Sequence, residues 1–150
     1  MTQFDLKGME KAIDRIKALP NDVRKKVVMG ALRKSATLVV KAAKANAMRH
    51  DDPATGRKIA SNIQARFGSK TYKATGDVMY RIGVANPKGA IPKGNPAEGD
   101  KGPTPHWHLL ELGTETMRAT PFMLPALTGN IDAAVSTFAA EATKRLDKLP

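Results

Sequence analysis

The 150-residue chain has no cysteine, and aromatic residues make up only 5% of it. Without cysteine it can form neither disulfides nor thiolate metal sites, so we expect a protein that folds without an oxidising compartment. No stretch approaches the roughly 18 apolar residues that a membrane-spanning helix needs, and the N-terminal residues mix acids with bases instead of forming the apolar run of a signal peptide. The sequence therefore predicts a soluble protein that is made in the cytoplasm.

The scarcity of aromatic residues also bears on nucleic-acid recognition. Few side chains are left on which bases could stack, and we find no basic motif with interleaved aromatic residues of the kind that RNA-binding domains use. Direct reading of a nucleic-acid sequence is therefore not expected of this chain.

Basic residues are abundant, and they are concentrated towards the N-terminus. The formal net charge is +11; residues 1–50 carry 12 bases and 4 acids, residues 51–104 carry 9 and 5, and residues 105–150 carry 4 and 5. Clustered Lys and Arg attract negatively charged partners. We therefore expect the N-terminal half to contact either DNA or an acidic protein surface.

The N-terminal half has the apolar spacing of helices. Apolar residues three and four apart predict a short helix over residues 6–18 and a long amphipathic helix over residues 21–48. The polar face of the long helix carries the candidates for contact with DNA or an acidic partner, which are Lys26, Arg33, Lys41 and Lys44. The spacing of Ile59, Ile63 and Phe67 predicts a further helical turn or two, which Gly68 ends.

The period of the pattern then changes. Alternating apolar residues from Val78 to Val84, preceded by turn residues 75–77, predict a hairpin of two strands over residues 69–74 and 77–85. Residues 86–105 contain five prolines and four glycines, so we expect a long loop, mobile in the free subunit and ordered against a neighbour. Residues 106–115 form either a short strand or a helical turn, and Pro121 opens a last helix with a break at residues 128–130.

No arrangement of residues indicates catalysis, a cofactor or a metal. The four serines lack the motif of a catalytic nucleophile, and the loop glycines lack the spacing of a phosphate-binding loop. His106 and His108, on either side of Trp107, are the best candidates for metal ligands, but no third ligand is close in sequence and a packed or interface patch is the favoured interpretation. We therefore predict no enzyme activity, no cofactor and no metal site.

Three short motifs follow one another in a fixed order. They are Thr55-Gly56-Arg57-Lys58-Ile59 with Ser61-Asn62-Ile63, then WHLLELGT from Trp107 to Thr114, then PFMLPAL from Pro121 to Leu127. In this order and spacing they resemble a neck family of tailed bacteriophages, the head–tail joining or tail-completion proteins, similar to the minor tail protein Z group. The chain departs from the family pattern at residues 51–54, and at Trp107, where tyrosine is commoner.

The resemblance implies a fold and a role. The fold would be α+β in a single domain over residues 1–150, with a small antiparallel sheet packed by the long N-terminal helix and a C-terminal helix. The role would be that of a structural virion protein, a ring subunit of the neck that joins head to tail or completes the tail. It would lie at the head–tail junction of the virion after synthesis in the host cytoplasm.

The same resemblance implies partners. These would be copies of the chain in a six- or twelvefold homo-oligomeric ring, adjacent neck, head-completion and tail-terminator or tail-tube proteins, and genomic DNA in the lumen, but no membrane. The alternative is a stand-alone basic DNA-binding protein, whose affinity for DNA would fall steeply with salt.

The residues expected to hold the fold or an interface come from the three motifs. They are Thr55, Gly56, Trp107, Glu111, Gly113, Thr114, Pro121, Phe122 and Pro125. Gly113 and Thr114 would turn the chain, Pro121 would occupy the first turn of a helix, and Phe122 and Leu127 would face a core. Glu111 would pair with a basic group, either Arg118 or one from a neighbouring subunit.

Overall fold

The computed structural model describes residues 7–51, 53, 56–85, 102 and 104–150, with side chains from residue 9 onwards. The elements in chain order are α1 (Lys7–Lys17), α2 (Asn21–Ala47), α3 (Ile59–Asn62), β1 (Ile63–Phe67), α4 (Ser69–Thr75), β2 (Tyr80–Val84), α5 (Trp107–Leu112), α6 (Met123–Thr128) and α7 (Ile131–Leu146). The α+β class is confirmed, because a two-stranded antiparallel sheet is combined with long N-terminal and C-terminal helices. Thr55 and residues 86–101 and 103 of the predicted loop lie outside the described residues.

The two N-terminal helices lie where the apolar spacing predicts them. The first backbone bond of α2 runs from the Arg24 N–H to the Pro20 carbonyl at 2.9 Å. The Arg24 guanidinium also donates to the carbonyls of Lys17 and Leu19 at 2.9 and 3.0 Å. These bonds satisfy carbonyls at the end of α1 and fix the turn into α2.

The predicted hairpin over residues 69–85 is wrong. Residues 69–75 form α4, which ends at Gly76 in the left-handed conformation at φ 80°, and the partner of β2 is β1, a segment predicted to be helical. The error has a simple cause: Ile59, Ile63 and Phe67 are four apart, and four is compatible with both a helix and a strand. Residues 63–67 also alternate apolar and polar side chains, which is the pattern of a strand.

The register of the sheet follows from the hydrogen bonds at its two ends. The Gly68 N–H donates to the Met79 carbonyl, and the Ala85 N–H donates to the Asn62 carbonyl, both at 2.8 Å. Ile63 therefore stands opposite Val84, and Phe67 stands opposite Tyr80 with ring centroids 5.8 Å apart. Because side chains alternate along a strand, one face of the sheet is apolar and the other carries residues 64, 66, 81 and 83.

Two compact units make up the described structure. Unit 1 contains α1, α2 up to Leu38, α4, α7 and the Arg66–Arg81 end of the sheet, and unit 2 contains α2 from Val39, α3, α5, α6 and the rest of the sheet. The prediction of a single domain over residues 1–150 stays a prediction.

Unit 1 has a core of small and aliphatic residues from its helices. The buried members are Ala12, Ile16, Val27, Ala31, Ala142 and Leu146. Ala31 of α2 and Ala142 of α7 have no exposed surface, and the buried Ser35 hydroxyl donates to the Ala134 carbonyl. Small side chains thus bring α2 and α7 into close contact.

Unit 2 has a separate core. The buried members are Ala43, Ala47, Ile59, Ala60, Ile63, Phe122 and Ala126, with Ile82, Val84, Trp107 and Leu110 packed against them. Phe122 and Ile63 are 0% and 1% exposed. The apolar face of the sheet is therefore covered by α2, α3 and α6.

Replacing Ile63 with alanine tests this arrangement. Ile63→Ala should lower the free energy of unfolding by about 2–5 kcal/mol, because it leaves a cavity between the sheet and α2. Chemical denaturation measures the change. Met48→Ala, at a residue that is 67% exposed in the same unit, should change it by less than about 0.5 kcal/mol; equal effects would contradict the packing described.

Candidate interaction site

The carboxylate of Glu111 caps α6 from outside that helix. Its Oε2 accepts hydrogen bonds from the N–H groups of Phe122 and Met123 at 2.8 and 3.0 Å, and its Oε1 accepts one from Leu124 at 2.9 Å. Both oxygens thus accept from backbone donors, and no ion pair of Glu111 with Arg118 is seen among the described residues; a basic partner from a neighbouring subunit stays a prediction. A negative charge at a helix N-terminus is favourable, since it opposes the positive end of the helix dipole.

The two prolines of the PFMLPAL motif complete this N-terminus. A helix leaves its first N–H groups without partners inside the helix, and the N-cap residue Phe122 has no polar side chain to accept from them. Pro125, at the third position of α6, has no N–H to satisfy. Pro121 precedes Phe122 immediately, so Glu111 serves every N–H from residue 121 to residue 125.

Gly113 and Thr114 form the turn that brings Glu111 to α6. Gly113 ends α5 at φ 77°, and a Cβ there would lie 2.8 Å from the Ala119 nitrogen and 2.9 Å from the Met117 carbonyl oxygen. The Thr114 N–H donates to the Met117 carbonyl, and its hydroxyl accepts from the Met117 N–H at 3.0 Å. Only glycine fits position 113 without strain.

Phe122 anchors the motif in the core of unit 2. Its ring centroid lies 6.4 Å from the ring of Trp107 and 6.4 Å from that of His50. The Asn46 amide of α2 donates to the Phe122 carbonyl at 3.2 Å. Trp107, at the start of α5, and Phe122, at the start of α6, therefore pack together.

Leu127 does not face the core as predicted. It is 50% exposed, Leu124 is 60% exposed and Leu112 is 77% exposed. Leu124 and Leu127 are three residues apart on one face of α6, and Leu112 directly follows the Glu111 that binds the Leu124 N–H. We call these three leucines the α5–α6 apolar patch.

A groove of about 460 Å³ also opens in unit 2. Its walls are mainly apolar, with Ile59, Trp107 and Leu110 among them, and they also include His50, His106 and Asp51. Asp51 Oδ1 accepts from the Ile59 N–H at 2.8 Å, so this carboxylate caps α3 as Glu111 caps α6. The other oxygen of Asp51 is buried and has no hydrogen-bond partner among the described residues.

The remaining predicted residues lie in several places. Gly56 is half-buried in the segment before α3, and on α2 Lys26, Arg33 and Lys41 are exposed while Lys44 is half-buried. Trp107 and His108 lie in helix α5, and His106 is its N-cap residue. The side chains of His106 and His108 therefore do not project to the same side, as they would on a strand. Within the described ranges no three histidine, aspartate or glutamate side chains are grouped as a metal site would need.

The sequence reading missed a cluster of aromatic and basic residues in unit 1. Phe67, Tyr72 and Tyr80 pack together with ring centroids 5.9 and 5.8 Å apart, and Lys25 Nζ lies 3.9 Å from the centroid of the Tyr72 ring. The signal was present in residues 66–81, where three aromatic residues alternate with four cations. A hairpin over residues 69–85 hides this signal, because it separates Phe67 from Tyr72 and does not pair Phe67 with Tyr80.

The cap can be tested by changing Glu111 to glutamine. Glu111→Gln keeps the size of the side chain but replaces one accepting oxygen with a donating amide. We therefore expect the free energy of unfolding to fall by about 1–2 kcal/mol. Thermal and chemical denaturation measure this. Glu115→Gln, at an exposed acid in the following turn, is the matched control, and equal stability of both variants would rule out the capping role.

The turn can be tested by adding a methyl group at Gly113. Gly113→Ala should cost at least about 2 kcal/mol of unfolding free energy, because alanine is strained at this φ and meets two backbone atoms. Gly83→Ala is the control, since a Cβ at Gly83 meets nothing within 4 Å and alanine suits a strand better than glycine. The turn would need another explanation if both proteins melted alike.

Comparison with known proteins identifies the family. The family described as "HK97-gp10_like: Bacteriophage HK97-gp10, putative tail-component" matches residues 10–113, more than half of the chain. No curated protein and no solved structure is significantly similar to the chain. Among the described residues no helix is both long and apolar enough to cross a membrane. The chain belongs to the HK97-gp10-like family, and it is accordingly a structural tail component of a bacteriophage virion that works with other phage structural proteins.

Proposed function

We propose that the chain is a ring subunit of the phage neck that joins the head to the tail or completes the tail. The observation that supports this proposal is the α5–α6 apolar patch. Three large leucines exposed on two short helices that the Glu111 cap joins are unfavourable in water, and exposed apolar surface commonly marks a protein interface. The Glu111 cap and the Gly113 turn fix these helices, so the patch is a preorganised surface.

The partner of the patch in this proposal is another copy of the chain. A ring is built from heterologous contacts, in which one surface of each subunit meets a different surface of the next. The apolar groove beside Trp107 is a second surface of suitable character for Leu124 and Leu127. Three leucines fall short of the roughly 800 Å² per partner of a stable interface, so they would form the centre of a larger contact.

The finer assignments belong to the same proposal. The ring is six- or twelvefold, it lies at the head–tail junction, and it contacts neck, head-completion and tail-terminator or tail-tube proteins. The exposed cations of α2 face either genomic DNA in the lumen or an acidic neighbour. The work of the chain is joining without catalysis, which fits a structural tail component.

Polar substitution of the patch tests the interface. Leu124→Ser/Leu127→Ser should abolish incorporation of the chain into particles, while its thermal unfolding stays within a few degrees of the original, because exposed leucines contribute little to the stability of the free chain. Met48→Ser, which removes an exposed apolar residue outside the patch, should leave incorporation unchanged. Normal incorporation of the double variant would remove the patch from the interface.

Electron microscopy of particles with an epitope tag on the C-terminus of the chain tests the location. We expect a ring of label at the head–tail junction, and the number of labelled positions gives the symmetry. Label along the tail or at its distal tip would contradict the neck assignment while leaving the family membership intact.

A further inference from the structure

Gly30 lies in the interior of α2, where it makes room for a side chain of α7. A Cβ built on Gly30 would overlap the guanidinium of Arg145, lying 2.6 Å from its Nε and nearer still to its Cζ and Nη1. The guanidinium therefore occupies the position on α2 that the side chain of residue 30 would otherwise fill. Glycine is unfavourable in the interior of a helix, since it loses more backbone entropy on folding than other residues. The contact thus depends on a residue that the helix alone does not favour.

The guanidinium of Arg145 lies among further cations of α2. Lys26 and Lys34 are one turn before and one turn after Gly30 on the same face, and Arg33 is three residues after it. All three are exposed, and no hydrogen bond or ion pair of their side chains is found among the described residues. We call these four cations the Gly30 cluster, and they are Lys26, Arg33, Lys34 and Arg145.

Acids of the two helices balance the Gly30 cluster only in part. α2 has one acid, Asp22, in its first turn, and α7 has Asp132 in its first turn and Glu141. Glu141 Oε1 lies 3.0 Å from Nη2 of Arg145, whose side chain remains 41% exposed. The guanidinium is therefore accessible to a further anion, which the excess positive charge would attract.

The surroundings of the Gly30 cluster favour DNA over an acidic protein. α2, which the structure describes over its whole length, exposes no large apolar side chain. The centre of a protein interface is apolar and depleted in charge, whereas interfaces with DNA are polar and strongly positive. The cluster extends about 12 Å along α2, a length over which one DNA strand presents about three or four phosphates. DNA therefore offers the density of negative charge that matches four cations.

The aromatic content of the two helices favours a duplex over a single strand. Proteins bind single strands by stacking bases on exposed aromatic rings. α2 contains no aromatic residue, and the aromatic residue of α7, Phe138, packs against the core of unit 1. Contact with phosphates remains, and it does not depend on the base sequence.

We propose that the Gly30 cluster binds the phosphate backbone of double-stranded DNA, with the Arg145 guanidinium at Gly30 as its central contact. The proposed function leaves DNA and an acidic neighbour open as partners of α2. This inference goes beyond it, because it chooses DNA and adds a residue of α7 to the site. Binding is a property of the single chain, since α2 and α7 share the core of unit 1.

The test compares two triple variants of the full chain that lose the same charge. Lys26→Gln/Arg33→Gln/Lys34→Gln changes the Gly30 cluster. The control, Lys11→Gln/Lys17→Gln/Arg118→Gln, changes exposed cations outside α2 and α7. Each variant removes two lysines and one arginine. Fluorescence anisotropy with a random duplex of about 20 base pairs gives the affinity at several KCl concentrations, and the logarithmic salt slope changes by about 0.9 per phosphate contact.

We expect the first variant to lower the magnitude of the slope by about 2.7 and to weaken binding on the order of tenfold or more at low salt. The control variant should keep the original slope. Equal losses in both variants would show an effect of net charge alone and overturn the proposal. Polyglutamate that competes as well as duplex, or a single strand that binds as tightly, would overturn it too.

Filling the position of Gly30 tests the part of Arg145 without changing the net charge. Gly30→Gln should displace the guanidinium and lower the magnitude of the slope by about 0.9, the value of one phosphate contact. Its melting temperature should not fall, because glutamine favours a helix more than glycine does. Gly83→Gln is the control and should keep the slope, since a Cβ at Gly83 meets nothing within 4 Å. An unchanged slope in Gly30→Gln would remove Arg145 from the site and overturn the proposal.

Two further variants separate this result from misfolding and from assembly. Lys26→Arg/Lys34→Arg keeps both charges and should keep the slope, and a loss there would contradict a phosphate site. Leu124→Ser/Leu127→Ser should also keep the slope, because the cluster lies within unit 1 of one chain. A slope lost in that variant would overturn the single-chain site, whereas failure of the ring alone would leave it standing.

Discussion

The carboxylate of Glu111 is the contact on which the candidate interaction site depends. α5 and α6 have six residues each, and helices this short do not persist alone in water. Glu111 joins them by accepting three N–H groups at the start of α6. Phe122 and Ala126, four residues apart, are buried on one side of this segment. Helical periodicity therefore places Leu124 and Leu127 on the other, exposed side, and the cap stabilises the helix that presents them.

The cap also explains the spacing in the sequence between the WHLLELGT and PFMLPAL motifs. Glu111 reaches residues 122–124 only because the chain reverses at Gly113 and Thr114, where Thr114 closes the turn onto Met117. Asp51 does the same for α3 by accepting the Ile59 N–H. Both acids lie outside the helix they cap. A search for capping residues at the position before a helix therefore misses them.

The sequence predicted those elements whose pattern is local. α1, α2 and the break at residues 129–130 lie where spacing and Pro20, Gly129 and Asn130 indicate. The predictions for the segments of β1 and α4 were wrong, because a spacing of four residues fits both a helix and a strand, and because strand pairing depends on residues far away in the chain. The expectation that Leu127 faces the core with Phe122 failed for a related reason: Leu127 is 50% exposed while Phe122 is fully buried, because the buried face of a six-residue helix depends on the distant residues that pack against it.

Net charge alone could not have separated the two proposed partner classes. A value of +11 suggests a polyanion for the whole chain, yet residues 105–150 carry 4 bases and 5 acids, and this balanced segment contains the α5–α6 apolar patch. The cations of α2 stand on a helix that is described throughout and exposes no large apolar side chain. Apolar surface without excess charge suits a protein neighbour, and charge without apolar surface suits a phosphate backbone. The proposed neck role would require both kinds of surface, because such a subunit would hold its neighbours while DNA passes.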